Sequence, residues 1–396
     1  MKKKRHGYDK VRPEVDGKKI TYAEALLMEL VSELPVQEGR VLVAGNRSGV
    51  VVGELMTRWP DATVFAHAFD AHHARAIRKH LLDLKLKVRT VISTPNVLPP
   101  ETDESVPEGE RRYRQAFFMT TPRSMPAELV LDQLQDIFLS LVDGAEFWAT
   151  FEGDPDEALR TMRLVWPSVH VAKKTKHAVL FRAVKKGEPV KTREFASTWE
   201  ASVPGGPELS FISLPGCFCH RRPDLGGLAL AEVAAKEVEA RRAAGVQTLD
   251  LLDMGCGCGL VGLLVADAWR RAFPESAPFT EANLKLTLID SHARALEASR
   301  QNAARAGFAP ELVLADDGLP RGRTGEYDYF VGNPPYYSEY RIAEVFLETA
   351  YRALKPGGVC LTVVKTATGL LALQEKYFRT VEVINRRGYC VLRSVR

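Results

Sequence analysis

The chain has 396 residues, 45% of them hydrophobic and 26% charged, with a formal net charge of +4. That length suits two or three globular cores rather than one. No apolar run reaches the ~20 residues a membrane helix needs, and the N-terminal MKKKRHGYDK lacks the apolar core of a signal peptide, so a cytoplasmic protein with no membrane partner is expected. The cysteines are Cys217, Cys219, Cys256, Cys258, Cys360 and Cys390. Their spacing suggests neither a disulfide framework nor the C-x2-4-C pattern of zinc sites, so no metal is expected.

Residues 1–19 read as a basic tail, with eight Lys/Arg against three acids. YAEALLMELVSEL (22–34) places Ala23, Leu26, Leu27, Leu30, Val31 and Leu34 on one helical face. A strand follows, Arg40 to Ala44, then the loop GNRSG and a helical segment. A second strand, Thr63 to Phe69, ends at Asp70 and leads into AHHARAIRKHL. Further on come YRQAFFMTTPRS (113–124) and the strand AVLFR. Residues 171–193 hold eight Lys/Arg against one acid. Such clusters suit a polyanion, and equally a solvated linker. The linker is taken as 186–204, with Pro189 and Pro204 leading into Gly205, Gly206 and Pro207.

The second half repeats this order. A helix spans Leu225 to Ala244, a strand Thr248 to Leu252, and the loop is GCGCG. LKLTLID ends at Asp290, followed by SHARALEASRQNAARAG, so that the string HARA comes just after the acidic residue both times. YDYFVGNPPYYS (327–338) matches YRQAFFMTTPRS. Pro122 and Val179 are 57 residues apart, as are Pro334 and Val391. The agreement indicates an internal duplication, with α/β domains at 20–185 and 205–396. Alternating strands and helices imply a doubly wound, mostly parallel sheet in each. VEVINRRGYCVLRSV reads as a closing hairpin that turns at Arg386–Gly388.

Ligands of such sheets sit beyond the carboxyl ends of the strands, near the switch point. Asp253-Met-Gly255-Cys256-Gly257-Cys258-Gly259 lies there, and its alternate glycines let the backbone approach a ligand closely. Asp290, before Ser291, ends the next strand, where a carboxylate can accept from both hydroxyls of a ribose. Asp316 and Asp317 end a third strand and can accept from an adenine amino group. Three acidic strand ends favour a nucleoside over three helix caps. The fourth strand ends in Gly332-Asn333-Pro334-Pro335-Tyr336. The prolines remove two N–H donors and stiffen the turn. The Asn333 side-chain carbonyl and the Pro334 backbone carbonyl can hold the two hydrogens of an exocyclic amine or amide and stabilise the positive charge that alkylation creates there. Tyr336 can stack on a planar ring. Tyr337 and Tyr340 either line the same pocket or pack under the next helix.

At these residues the chain resembles class I S-adenosylmethionine-dependent methyltransferases of amino nitrogens, through D-M-G-C-G-C-G, the acidic end of the second strand and N-P-P-Y. The duplication narrows the resemblance to the bacterial ribosomal RNA guanine-N2 methyltransferases. LPGCFCHRRPDLGGLAL (214–230) is similar to that family's segment before the glycine loop, with Pro215, Gly216, Phe218, Asp224 and Gly226 fitting the pattern and Cys217 and Cys219 departing from it.

The resemblance implies two tandem Rossmann-like domains and S-adenosylmethionine as cofactor, held by Phe218, Asp253, Gly255, Cys256, Gly257, Gly259, Asp290, Ser291, Asp316, Asp317 and Asn333. It implies a catalytic loop of Asn333, Pro334, Pro335 and Tyr336, and RNA, ribosomal RNA or a ribosomal subunit, as partner of a monomeric enzyme. Methylation of a protein glutamine, adenine-N6 methylation and a non-catalytic RNA-binding role remain as alternatives. In the first copy Asn46 and Arg47 replace Cys256 and Gly257, and Thr121-Pro122-Arg123 replaces Asn333-Pro334-Pro335. That copy is expected neither to bind the cofactor nor to catalyse.

Overall fold

The computed structural model describes residues 12–15, 17–45, 47–97, 112–120, 125–335 and 340–396. The chain divides into two compact units. One holds the residues up to Glu194 except Asp70–His72, and the other holds Phe195–Arg396 together with those three.

In the first unit β1 (Glu14–Val15) and β2 (Lys18–Lys19) form a short ribbon. The chain continues through α1 (Tyr22–Glu33), β3 (Gly39–Ala44), α2 (Val50–Arg58), β4 (Ala62–His67), α3 (Ala71–Asp83), β5 (Val91–Ile92), β6 (Tyr113–Thr120), α4 (Ala127–Ser140), β7 (Leu141–Glu152), α5 (Pro155–Arg163), β8 (Val169–Lys174) and β9 (Ala178–Val184). The seven-stranded sheet has the order β5-β4-β3-β6-β7-β9-β8, with only β9 antiparallel to its neighbours. β4 stops at His67, short of the expected Phe69, where both neighbours end, Ala44 of β3 and Ile92 of β5 being opposite it.

The second unit runs through β10 (Ser197–Ala201), β11 (Leu209–Ser213), α6 (Leu225–Ala243), β12 (Leu249–Met254), α7 (Leu260–Arg271), β13 (Leu284–Asp290), α8 (Ala293–Ala306), β14 (Glu311–Leu314), β15 (Tyr327–Gly332), α9 (Arg341–Ala353), β16 (Leu354–Val364), α10 (Thr368–Gln374), β17 (Val381–Arg386) and β18 (Tyr389–Val395). Its sheet order, β14-β13-β12-β15-β16-β18-β17, repeats that of the first unit strand for strand. β10 falls inside the stretch read as a linker. It pairs with β11, and Trp199 stacks on Phe211 at 5.1 Å between ring centroids.

Period-two alternation builds the layers of the second unit. Leu251, Tyr329, Val331 and Leu361 pack with Leu230 and Val238 of α6, Leu264 of α7 and Ala298 of α8. Their neighbours Leu252, Met254 and Phe330 face the other way, onto Phe346, Leu347 and Ala350 of α9. The hairpin closes through a two-residue turn with Arg387 at φ 49° and Gly388 at φ 73°, the positive values such turns require. Both Arg386 and Arg387 bond the buried Glu232, which ties the turn to α6.

One glycine in the body of a helix sets the fit of α7 on the sheet. A Cβ at Gly262 would lie 2.7 Å from Leu288 Cδ2 and 3.0 Å from Asp253 Oδ2. Gly262→Ala should therefore destabilise the chain by about 1–3 kcal/mol through overpacking, against a helix-propensity gain of about 1 kcal/mol. Urea denaturation followed by circular dichroism measures it, and a more stable variant would contradict the packing described.

Candidate functional site

The second unit's sheet crosses over between β12 and β15. These strands run parallel, with Met254 opposite Gly332, so the residues that follow each, Gly255 and Asn333, emerge side by side. β13 flanks β12 on its other side, with Ile289 opposite Met254, which brings Asp290 to the same edge. β14 adds Asp316 and Asp317 one strand further out, where the Ala315 N–H donates to the Asp290 carbonyl at 3.1 Å. Asp316 is half-buried and Asp317 exposed.

The three loop glycines have positive φ: 68° at Gly255, 58° at Gly257 and 83° at Gly259. Their surroundings differ. A Cβ at Gly255 would come within 2.8 Å of Phe346 Cζ, and one at Gly259 within 3.1 Å of Leu263 and Ser299. At Gly257 nothing lies within 4 Å. Packing excludes a side chain at the outer two positions, whereas Gly257 presents bare backbone to open space.

Asp290 holds the loop in place. Its Oδ2 accepts from the Gly257 N–H and its Oδ1 from the His292 N–H, both at 2.9 Å. Burial pushes its carboxyl up to about 6, while those N–H groups pull it back. Ser291 lies half-buried between the two.

Cys256 and Cys258 point inward. Both are buried in the core layer, where Cys256 Sγ lies 3.6 Å from Ser299 Oγ. Burial raises both thiols, so they are poor nucleophiles. Cys256 therefore offers a ligand its backbone rather than its thiol. Asp253 is 2% exposed and accepts from the Gly262 N–H of α7 at 2.8 Å. Its carboxylate braces the helix beneath the loop. Among the described residues no group of three or more His, Cys, Asp or Glu is placed to hold a metal, and no helix is long and apolar enough to cross a membrane.

At the end of β15 the Asn333 Nδ2 donates to Asp224 Oδ2 at 2.6 Å. Pro334 is buried and Pro335 half-buried. Tyr336 and Tyr337 lie outside the described residues, as do Asn46, Thr121, Pro122, Arg123 and much of the basic tail. Tyr340 packs against α10: a Cβ at Gly369 would meet its hydroxyl at 2.2 Å. Phe218 is 71% exposed, in a tight turn where Gly216, Cys219 and Arg221 have positive φ.

The first unit has the same loop geometry at its ends, with Gly45 at φ 75° and Gly49 at φ 83°. Its crevice is filled. Glu24 of α1, 2% exposed, accepts from the Ser48 hydroxyl at 2.7 Å, the Ser48 N–H at 3.2 Å and the Thr21 N–H at 2.9 Å. A small pocket beside it is lined by Thr21, Ala23, Glu24, Gly45, Arg47, Met119 and Thr120. Sequence reasoning named Arg47 but missed Glu24, whose only visible signal was a capping box with Thr21.

Residues 208–393 match the methyltransferase small domain family. The ribosomal RNA small subunit methyltransferase C of Pseudomonas paraeruginosa is 32% identical over 190 residues, covering 46% of this chain and 50% of that one. Its counterpart from Pseudomonas aeruginosa strain LESB58 is 36% identical over 158 residues, covering 38% and 40%. The chain thus spans half or less of the length of these relatives. Among solved structures, the T. thermophilus 16S rRNA N2-guanine methyltransferase RsmC, in complex with AdoMet and guanosine, superposes with a TM-score of 0.68 over 94% of this chain and 92% of that one. At 17% identity this is a likeness of fold.

The buried Asp253 makes stability pH-dependent. Burial pushes its carboxyl up to about 7, with the Gly262 N–H opposing. The native state therefore keeps a proton that the unfolded chain, with a carboxyl near ~3.9, gives up. Its contribution falls as pH rises from ~4 to about 7. Asp253→Asn should flatten the stability curve across that window by up to ~1.4 kcal/mol per pH unit. Urea midpoints from pH 4 to 8 test this, and parallel curves for the two proteins would contradict it.

Proposed function

We propose that this chain, whose residues 208–393 match the methyltransferase small domain family, transfers a methyl group from S-adenosylmethionine to the exocyclic N2 of a guanine in ribosomal RNA. The observation that carries this reading is the Asn333 carboxamide, anchored by its NH2 at the tip of β15, beside the glycine loop. The relatives named for ribosomal RNA and the T. thermophilus structure with AdoMet and guanosine support the choice of cofactor and substrate.

The residues present suit the cofactor. Open space at Gly257 admits a ligand against the backbone, and Asp290, ionised at neutral pH, can accept from ribose hydroxyls. Asp316 or Asp317 is assigned to the adenine amino group, with Ser291 and Phe218 flanking. S-adenosylmethionine supplies an electrophilic methyl on a sulfonium sulfur. The chain's own groups act on the amine. Asn333 Oδ1 and the Pro334 carbonyl accept its two hydrogens, aim its lone pair and stabilise the positive charge that develops on nitrogen. Tyr336 is assigned to stack on the base. As the N–C bond forms the methyl's bond to sulfur breaks, S-adenosylhomocysteine leaving as a neutral thioether; the nitrogen becomes cationic, and its proton then leaves to water. Positioning supplies most of the acceleration, since effective molarities of ~10^5 M are available from orientation alone.

The division of labour is part of the same proposal: a catalytic half, 205–396, and a degenerate half, 20–185, whose crevice Glu24 fills. Exposed Lys174 and Lys176, with Lys186 and Lys191, are offered to RNA phosphates, while Lys173 pairs with Glu29. Lys185 is buried against Asp143 at 2.7 Å and drops out of that cluster.

Two measurements test the reading. Labelled cofactor offered to ribosomal subunits, free rRNA, tRNA and release factors should label rRNA or a subunit. Asn333→Ala should reduce transfer by about 10^2-fold or more while S-adenosylhomocysteine still binds. Label on release factors, or equal loss of binding and transfer, would contradict it. Cofactor affinity should also weaken as pH falls through about 6, where Asp290 takes up a proton, by up to ~tenfold per pH unit. Asp290→Asn should remove that slope in calorimetric titrations from pH 5 to 8, and a flat wild-type profile would contradict the role of Asp290.

A further inference from the structure

We infer that Asp224 is the positioning residue of the amine clamp, fixing which end of the Asn333 carboxamide meets the substrate. The inference rests on the methyl-transfer reading above. Asp224 caps α6, its Oδ1 accepting from the Gly226 N–H at 3.0 Å and its Oδ2 from the Gly227 N–H at 2.9 Å. The same Oδ2 accepts from Asn333 Nδ2 at 2.6 Å. Two backbone donors thus hold the carboxylate still, and its one remaining task is to receive the amide.

The two ends of a carboxamide are nearly isosteric, so packing alone orients it poorly. A carboxylate removes the ambiguity because it only accepts. The Asn333 atom that faces it is therefore the NH2, and Oδ1 is turned outward. In the reverse orientation the amide would present donors to an amine that is itself a donor. The anionic partner also polarises the amide and strengthens Oδ1 as an acceptor for a nitrogen that becomes cationic. The glycines after the cap keep the carboxylate in place. A Cβ at Gly227 would lie 2.9 Å from Asp224 Oδ2, and one at Gly226 3.2 Å from the Tyr389 ring. In the first unit the helix cap is Thr21, whose side chain accepts from the Glu24 N–H, and the carboxylate beside it, Glu24, is engaged with Thr21 and Ser48.

The test is an exchange of donor and acceptor: Asp224→Asn, Asn333→Asp and the double variant, in the full chain. Asn caps helices as well as Asp but offers one acceptor oxygen to the two N–H groups, so Asp224→Asn should lower Tm only slightly. Its kcat on ribosomal RNA should fall by about ten- to a hundredfold with KM for the cofactor unchanged. Asn333→Asp sets two carboxylates against each other and should lose both kcat and Tm. In the double variant the introduced amide at 224 donates to the introduced carboxylate at 333, which still turns an oxygen outward. It should recover Tm to the level of Asp224→Asn and regain at least about tenfold in kcat over Asn333→Asp. Wild-type kcat in Asp224→Asn, or a double variant no better than Asn333→Asp, would overturn the inference. The Tm recovery reads the coupling without any substrate, so a wild-type chain inactive on ribosomal RNA would count against the functional reading and not against the pairing of these two side chains.

Discussion

The parallel pairing of β12 with β15 is the constraint on which the site depends. With Met254 opposite Gly332, the glycine loop and Asn333 leave neighbouring strands at the same height. Both turns press on one ring: added Cβ atoms at Gly255 and Gly332 would lie 2.8 and 3.0 Å from Phe346. A shift of one residue would turn every side chain of β15 to the opposite face and carry Asn333 away from the loop. The bond from Gly257 to Asp290 then ties a third strand end to the first two. The site is a row of strand termini whose spacing the sheet sets and whose chemistry the next few residues supply.

The duplication separates fold from chemistry within one molecule. Both units have the same strand order and the same pair of left-handed glycines flanking the loop. They differ in what stands in the crevice. Gly257 leaves open space, while the first unit has Arg47 at that position and a buried Glu24 bonded to Ser48. Glu24 meets the needs of the α2 N-terminus from inside the chain, where the second unit leaves its loop open to a ligand. The sheet forms equally well either way, so the open crevice and the Asn333 turn are features the fold does not require.

Much of this was legible in the sequence because its signals are local and repeated. Helical and strand periods, the outer glycines of the loop and the acidic end of the second strand recur at matching intervals in the two halves, while the alternating glycines and the paired prolines mark the second half alone. What was not legible depends on distance. Asp224 and Asn333 are 109 positions apart, and before the sheet is assembled Asp224 reads only as part of the segment ahead of the glycine loop. Glu24 likewise reads as half of a capping box until its second oxygen is seen on Ser48. The cysteines of the glycine loop were ambiguous because alternation does not say which face is inside. The fold turns the glycines outward at 257 and sends both thiols into the core. The strand Ser197–Ala201 was hidden by the prolines and glycines around it, and it exists because Leu209–Ser213 returns to pair with it.

The central claim concerns which amine the Asn333 clamp receives. It is tested most directly by incubating the protein with ribosomal RNA and methyl-labelled S-adenosylmethionine, digesting the RNA to nucleosides and identifying the labelled one by mass spectrometry. Label in N2-methylguanosine is the expected result; label in N6-methyladenosine, with none in guanosine, would contradict it.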